Sequence, residues 1–254
     1  MKLSRNLLAM VLLSFTVLGA NAHTDWQVVM KYPPLSNLLP PAWQPLIEGE
    51  DFVFMLPDSE PLMPAFDITE RGDFRKAVKL FPTLAEQGNV GAQFLLAVMF
   101  DEGLGVKQDS QQAKKWYKKT SELLLSLAEK GDMTAQFLLA TIFDEGKGGM
   151  QDFQQAVKWY QKAAEKGLAD AQYQLAMMYH HGKGVTQDYQ KAVEWLNKSA
   201  AQYNDFALIV LGGYYLEGIG VPKDRQKAKA YFTQACDEAG LDMGCYMQME
   251  LEEK

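Results

Sequence analysis

The side chains that most often carry out chemistry are few in this chain. Its 254 residues include only 3 histidines and 2 cysteines. His180 and His181 are adjacent, but a metal ion needs all of its ligands within about 2–2.5 Å. Two neighbouring imidazoles without further ligands close by are more typical of solvated side chains. We therefore expect no metal site.

Motifs that pair a nucleophile with a base are also missing. The chain has no Gly-x-Ser-x-Gly and no Ser-x-x-Lys sequence, which are the patterns of common serine hydrolases and penicillin-recognising enzymes. Its Gly-x-Gly pairs do not follow predicted strands and lack the Lys-Ser/Thr of a phosphate-binding loop. We expect no catalytic residues and no cofactor.

Composition narrows the classes of partner. The formal net charge is −7 and the isoelectric point is about 5.1, whereas a nucleic-acid-binding protein needs a basic surface to release counterions from phosphates. Hydrophobic residues make up 48% of the chain, which is enough to bury a core. The sequence predicts a folded chain that does not bind nucleic acid.

The N-terminus carries an export signal. Lys2 and Arg5 precede an apolar run over 7–20, which ends in small residues before His23. A basic start, a short apolar stretch and a small-residue cleavage site are typical of a secretory signal peptide, here over 1–22. The run is too short for a membrane-spanning helix. We expect a bacterial protein that is periplasmic or secreted, with no stable membrane anchor.

Residues 23–66 form a proline-rich arm. Eight of the ten prolines lie between Pro33 and Pro64, so this stretch is predicted to be extended or rich in turns. It is also too apolar for a solvated linker, with Leu38, Trp43 and Phe54 among its side chains. Two interpretations remain open: the arm packs on the domain that follows, or a partner orders it.

From residue 67 to 254 the chain repeats itself. The runs that begin at Gly88, Gly131, Gly167 and Tyr203 align, and their matching alanines are separated by 43, 36 and 36 residues. The extra seven residues are about two helical turns, so an insertion near Leu123 lengthens a helix without rotating its face. The predicted copies are a half copy at 72–88, full copies at 88–130, 131–166, 167–202 and 203–239, and a partial copy at 240–254.

Each copy reads as two helices. Helix A carries apolar residues at helical spacing and is predicted to end in an aromatic ring before a Gly-x-Gly pair, at Phe100, Phe143, Tyr179 and Tyr215. Helix B is predicted to begin after an aspartate N-cap, at Asp73, Asp109, Asp152, Asp188 and Asp224. Gln112 and Gln155 stand three residues after their aspartates, which predicts a capping box. One copy cannot bury both faces of its helices, so the copies must stack.

These features resemble the Sel-one-like repeat (SLR) family, a relative of the tetratricopeptide repeats. The resemblance lies in the small–Leu–Gly/Ala–Tyr run, the Gly-x-Gly-Val loop, the aspartate, the Ala-x-x-Trp motif and the Ala-Ala-x-x-Gly end, and it covers about three quarters of the chain. It implies an all-α, right-handed α/α superhelical solenoid that works by binding other proteins. Gly149 departs from the pattern, since it stands where the loop valine is expected.

Helix A lines the concave side in solenoids of this kind, so the resemblance also implies a partner face. Stepping 100° per residue from Ala171 places one set of side chains opposite the packing side. These form an aromatic ladder, namely Phe94, Phe137, Tyr173, Ile209 and Tyr246. Beside it lies an acidic edge of Asp101, Glu102, Asp144, Glu145 and Glu217, interrupted by His181. An acidic edge favours a partner with basic residues. The alternative is that these rings pack against neighbouring helices or that the arm covers them.

The two cysteines stand nine positions apart, Cys236 near the end of one helix B and Cys245 near the start of the next helix A. Across a turn they could lie within reach of a disulfide, and an exported protein meets an oxidising compartment. Exported SLR proteins with cysteines that clamp neighbouring repeats imply such a bond here. The alternative is a pair of buried free thiols.

Two functions from different classes follow. The first is an exported, non-enzymatic protein-interaction module, acting as an adaptor in the envelope or as an immunity protein against a secreted toxin. The second is a hydrolase acting on cell-wall or β-lactam substrates, as suggested for cysteine-rich relatives. The second needs a nucleophile with a base beside it, and the sequence offers neither. We therefore favour the first.

Overall fold

In the computed structural model, residues 74–237 and 242–252 are described, and every regular element among them is a helix. The helices are α1 Phe74–Ala77, α2 Phe81–Glu86, α3 Val90–Glu102, α4 Ser110–Glu129, α5 Met133–Glu145, α6 Phe153–Glu165, α7 Ala169–His181, α8 Tyr189–Ala200, α9 Asp205–Glu217, α10 Arg225–Asp237 and α11 Asp242–Glu252, with a 3₁₀ turn at Lys147–Gly149. The predicted signal peptide, the proline-rich arm and the Asp73 cap lie outside the described residues.

The helices stack in chain order. From α2 to α11, successive helices pack against each other. Odd-numbered helices from α3 to α9 are the predicted A helices, and even-numbered helices from α4 to α10 are the predicted B helices. This arrangement confirms the predicted all-α solenoid of helix pairs.

In the half copy, where a helix B is predicted after Asp73, the helix is interrupted. Its helical segment is split into α1 and α2 by a turn over 78–80. Pro82 lies in the first turn of α2, where its missing N–H costs nothing. In an unbroken helix that N–H would have to bond to the carbonyl of Val78, and the proline ring would clash there. Pro82 therefore explains the break.

Each A helix ends two residues later than predicted, at a glycine. α3 continues past Phe100 to Glu102, and Gly103 then adopts a left-handed φ of 73°. The Gly103 N–H bonds back to the Met99 carbonyl. α5, α7 and α9 end in the same way, so the acidic pairs belong to the last helical turn.

The aspartates cap the B helices as predicted. The Asp109 side chain accepts hydrogen bonds from the Gln111 and Gln112 N–H groups, both at 3.0 Å, and Asp152 and Asp188 do the same for their helices. The predicted capping box is wrong, however. In a capping box the glutamine side chain would accept a hydrogen bond from the Asp109 N–H. That N–H instead donates to the Phe100 carbonyl at 2.8 Å.

The seven-residue insertion lengthens helix B, as predicted. α4 has 20 residues and α6 has 13. In the inserted stretch Leu124 is fully buried, whereas Leu123 and Leu125 are exposed. Two added turns therefore keep the buried face of α4 in line.

In the first three full copies a glutamine joins the A helix to the preceding B helix. Gln93, Gln136 and Gln172 stand one position after the matching alanines, are buried, and donate through Nε2 to Ala85, Ala128 and Ala164 carbonyls at 2.9, 2.9 and 3.1 Å. In the third copy the Gln172 Oε1 also accepts from Gln202 Nε2 at 2.8 Å. The Oε1 atoms of Gln93 and Gln136 are buried without a hydrogen-bond partner among the described residues. The fourth copy has the fully buried Leu208 at this position.

A disulfide fastens the last described helix, as predicted. Cys236 in α10 is bonded to Cys245 in α11, with their Cα atoms 4.6 Å apart, so the alternative of two free thiols is wrong. Near the other end of α11, Arg225 Nη2 donates to the Leu251 carbonyl at 2.8 Å. The terminal helix is thus held to α10 at two points.

Gln172 makes more hydrogen bonds than Gln136, which predicts that their replacement lowers the free energy of unfolding by different amounts. Gln172→Leu breaks two hydrogen bonds and should lower the free energy of unfolding by about 1–2 kcal/mol. Gln136→Leu breaks one bond but removes an unpaired buried oxygen, so its effect should stay within about 1 kcal/mol of zero. Urea unfolding of both variants measures the difference. Equal losses, or a larger loss for Gln136→Leu, would contradict this account.

Candidate functional site

Most of the aromatic ladder is buried in the described structure. Phe94, Phe137 and Ile209 are 2%, 8% and 7% exposed. Tyr173 is half-buried, and burial raises its pKa to about 12. Tyr246 lies in α11. For Phe94, Phe137 and Ile209 this burial matches the alternative in which the side chains pack against neighbouring helices. Their role in partner binding stays a prediction.

Two rings of the ladder pack against tyrosines of the B helices. Phe94 meets Tyr117 edge-on at 6.1 Å between ring centroids, and Phe137 lies 5.8 Å from Tyr160. Both tyrosines follow the tryptophan of the Ala-x-x-Trp motif, a position that the sequence reasoning did not use. A ring at this position in successive B helices was the signal for an aromatic core between A and B helices.

The acidic edge is partly exposed, and three of its carboxylates converge on one lysine. The Lys147 Nζ lies 3.0 Å from Asp101 Oδ2, 3.5 Å from Glu102 Oε1 and 3.9 Å from Glu145 Oε2. We call Asp101, Glu102 and Glu145 the acidic cluster. It joins the ends of α3 and α5, two neighbouring A helices.

The remaining members of the edge are held separately. Asp144 lies 4.0 Å from Lys183, and Glu217 lies 3.7 Å from Lys223. The His181 ring packs edge-on against His180. Lys147 therefore joins only the acidic cluster, and Asp144, Glu217 and His181 lie outside that group of ion pairs.

Sequence reasoning missed both lysines. Lys147 and Lys183 occupy the same position of the Gly-x-Gly loop in successive copies. Each reaches back to a carboxylate of the copy before it. The signal was a basic residue at this loop position one repeat after each Asp-Glu pair.

Burial and charge crowding shift the protonation of this region. Burial, only partly offset by Lys147, raises the pKa of Glu145 to about 7, and the neighbouring carboxylates add to the rise. Burial also raises the pKa of Asp144, against the effect of Lys183. The hydrogen bond to Asp101 and the three carboxylates raise the pKa of Lys147 despite its burial.

The third copy presents neutral imidazoles instead of acids. Burial, assisted by His181, lowers the pKa of His180 to about 4, and burial and Lys183 lower the pKa of His181. His180 Nδ1 is hydrogen-bonded to the Tyr214 hydroxyl at 2.5 Å. Near neutral pH the third copy therefore adds no negative charge to the edge at this position.

The ends of α3 and α5 carry more carboxylates than cations. Within the described residues no group of His, Cys, Asp or Glu side chains is placed to hold a metal ion. In the same part of the chain no helix is long and apolar enough to cross a membrane. Partly exposed carboxylates lie at the C-termini of α3 and α5, where the helix dipoles are also negative, so the electrostatic potential there favours positive charge.

Comparison with known proteins identifies the repeat. Residues 90–123, 134–168, 169–204 and 206–239 match the Sel1 repeat, close to the four predicted full copies. A Sel1 repeat protein from Oxalobacter formigenes is 29% identical, with a TM-score of 0.58 over 74% of this chain and 73% of that one.

A second solved structure is similar. It is a protective antigen present in uropathogenic Escherichia coli strains, with an SLR fold, 28% identity and a TM-score of 0.55. The match covers 80% of this chain but only 44% of the antigen. No curated protein matches the chain.

The burial of the ladder predicts that Phe137 stabilises the fold. Phe137→Ala should lower the free energy of unfolding by about 3 kcal/mol, because it empties a packed site beside Tyr160. The control is Leu125→Ala, since Leu125 is 41% exposed and should change stability by less than about 0.5 kcal/mol. Urea unfolding measures both. A Phe137→Ala protein as stable as the control would place this ring outside the core.

The raised pKa of Glu145 predicts a pH-dependent effect of its replacement. Because the folded pKa of about 7 lies above the ordinary value of 4.5, the folded state binds more protons between these values. The contribution of Glu145 to the free energy of unfolding therefore falls as the pH rises through that window. Glu145→Gln should be more stable than the parent by about 1–3 kcal/mol near pH 8 and nearly equal to it near pH 5.

Urea unfolding of parent and Glu145→Gln at both pH values tests this. Comparing them at the same pH cancels the contribution of His180, whose lowered pKa acts in the opposite direction. Glu122→Gln, at an exposed site in α4, is the control. A stability difference that is the same at both pH values would contradict the assignment.

Proposed function

Because the chain belongs to the Sel1 repeat family, whose repeats are protein-interaction modules, we propose that it is a non-enzymatic module that binds a protein partner with basic residues. The binding site is on the A-helix side, at the acidic edge. The observation that carries this proposal is the convergence of Asp101, Glu102 and Glu145 on a single lysine. Carboxylates there outnumber cations, so the site keeps a net attraction for positive charge.

Exposure of these side chains supports the proposal. Their exposed fractions are 30% for Asp101, 29% for Glu102 and 22% for Glu145. Groups of this kind are accessible to a partner yet shielded enough for their charge to act strongly. Negative potential at the ends of α3 and α5 would also speed the encounter with a basic partner.

We propose further that the protein is exported. The support is the export signal over 1–22 in the sequence and the Cys236–Cys245 disulfide, since disulfides persist in oxidising compartments. The partner would then be an envelope component or a secreted protein. An envelope partner would make the protein an adaptor, and a secreted toxin would make it an immunity protein.

Charge removal at the edge tests the site. The edge variant combines Asp101→Asn, Glu102→Gln, Asp144→Asn and Glu145→Gln. Its control combines Glu122→Gln, Glu129→Gln, Glu165→Gln and Glu194→Gln, which remove the same charge from exposed positions on B helices. Parent, edge variant and control are used to capture partners from the native extract, and the captured protein is identified by mass spectrometry.

The purified partner is then titrated against all three proteins. The edge variant should bind at least about tenfold more weakly, while the control stays within about twofold. Binding by the parent should also weaken with added salt. Equal binding by the edge variant and the parent would show that the partner contacts another surface.

A further inference from the structure

The loop that carries Lys147 differs from the equivalent loops of the other full copies. It reads Gly146-Lys147-Gly148-Gly149, whereas the others end in Val106, Val185 and Val221. Here the loop forms a 3₁₀ turn over Lys147–Gly149. Gly149, which has no side chain, stands where the other full copies have a valine.

The loop also lies at a different place on the preceding B helix. In the third and fourth copies the second glycine packs against the first residue of that helix, Phe153 for Gly184 and Tyr189 for Gly220. Gly148 instead packs against Tyr117 and the Lys114 carbonyl, one to two turns further along α4. The first turn of α4 is therefore left uncovered by this loop.

A cavity of about 370 Å³ lies between the loop and the start of α4. Its walls include Asp101, Ser110, Gln111, Lys114, Glu145 and Lys147. Two carboxylates of the acidic cluster thus face an open space large enough for the end of a long side chain.

Lys147 satisfies the acidic cluster incompletely. Its ammonium donates a hydrogen bond to Asp101 at 3.0 Å, but it lies 3.9 Å from Glu145 Oε2. That oxygen is buried and has no hydrogen-bond partner among the described residues. An ammonium has three donors on one atom, whereas a guanidinium has five in a planar fork that matches carboxylates. Arginine therefore fits this group of acceptors better than lysine does.

Building on the proposed function, we propose that Lys147 occupies the site on this chain to which a positively charged side chain of the partner binds. We call Lys147 the internal occupant of that site. An arginine of the partner enters the cavity beside the glycine turn, bonds to Asp101 and Glu145, and displaces the Lys147 ammonium. The side chain of Lys147 is 14% exposed, so it blocks the cluster until it is displaced. This competition lowers the affinity for every partner and selects for those that present arginine.

Two replacements of Lys147 should act in opposite directions. Lys147→Met keeps the apolar stem and removes the competitor, so arginine should bind about tenfold more tightly. Lys147→Arg supplies a better internal occupant, so binding should weaken several-fold while the protein itself becomes more stable. The control is Lys158→Met, which removes one positive charge from an exposed position on α6, away from the acidic edge. It should change binding by less than about twofold.

The probe is a blocked Leu-Arg-Leu peptide, titrated against each folded protein and followed by NMR shifts of the amides over 144–150. Matched Leu-Lys-Leu should bind more weakly to Lys147→Met, and Leu-norleucine-Leu should not shift these amides. Urea unfolding of each variant accompanies the titrations, and gives the stability change expected for Lys147→Arg.

The outcomes separate this inference from the proposed function. If the edge variant loses its captured partner but both Lys147 variants bind the arginine peptide like the parent, the internal occupant is overturned and the acidic edge stands. If the edge variant keeps its partner, the proposed function fails. If Lys147→Met binds more weakly than the parent, Lys147 contributes to the site instead of competing for it, and the inference is wrong.

Discussion

The structure depends on how each A helix ends. Gly103, Gly146, Gly182 and Gly218 have φ values of 73°, 68°, 67° and 78°, a region that side chains with a Cβ disfavour. The chain then turns so that the next aspartate N–H reaches the carbonyl of the ring residue in the last helical turn, at 2.8–3.0 Å in all four copies. One backbone bond thereby closes each A helix and starts the following B helix.

That termination also creates the acidic edge. The two residues before the glycine lie in the last helical turn, with their backbone held by the turn and their side chains at the boundary between interior and solvent. In the first two full copies these residues are Asp-Glu pairs, placed where the helix dipole is negative. Burial of Glu145, with a smaller effect of the neighbouring carboxylates, raises its pKa, so the ionised form is unfavourable there. Stability is given up locally, and the ends of α3 and α5 keep more carboxylates than cations.

Several elements followed from the pattern of residues alone. The repeat length, the two helices in each copy, the aspartate caps, the longer α4 and the disulfide were all predicted, because each depends on residues close in sequence or on a repeated period. The capping box was not. Gln112 has the right spacing, but the Asp109 N–H bonds to Phe100 in the preceding helix, and a local rule cannot include that partner. The break at Pro82 was readable in principle, since one proline in a helical pattern suffices.

For the site, the sequence by itself determined which residues stand at the ends of the A helices, because the repeat places Asp101, Glu102, Asp144 and Glu145 at equivalent positions. Tertiary structure decided what those residues do. Burial of Phe94 and Phe137 depends on tyrosines contributed by the B helices, and the acidic cluster exists only because stacking brings Lys147 next to the end of α3. Side chains 46 positions apart meet through the packing of two repeats, and the period of one repeat does not encode that distance.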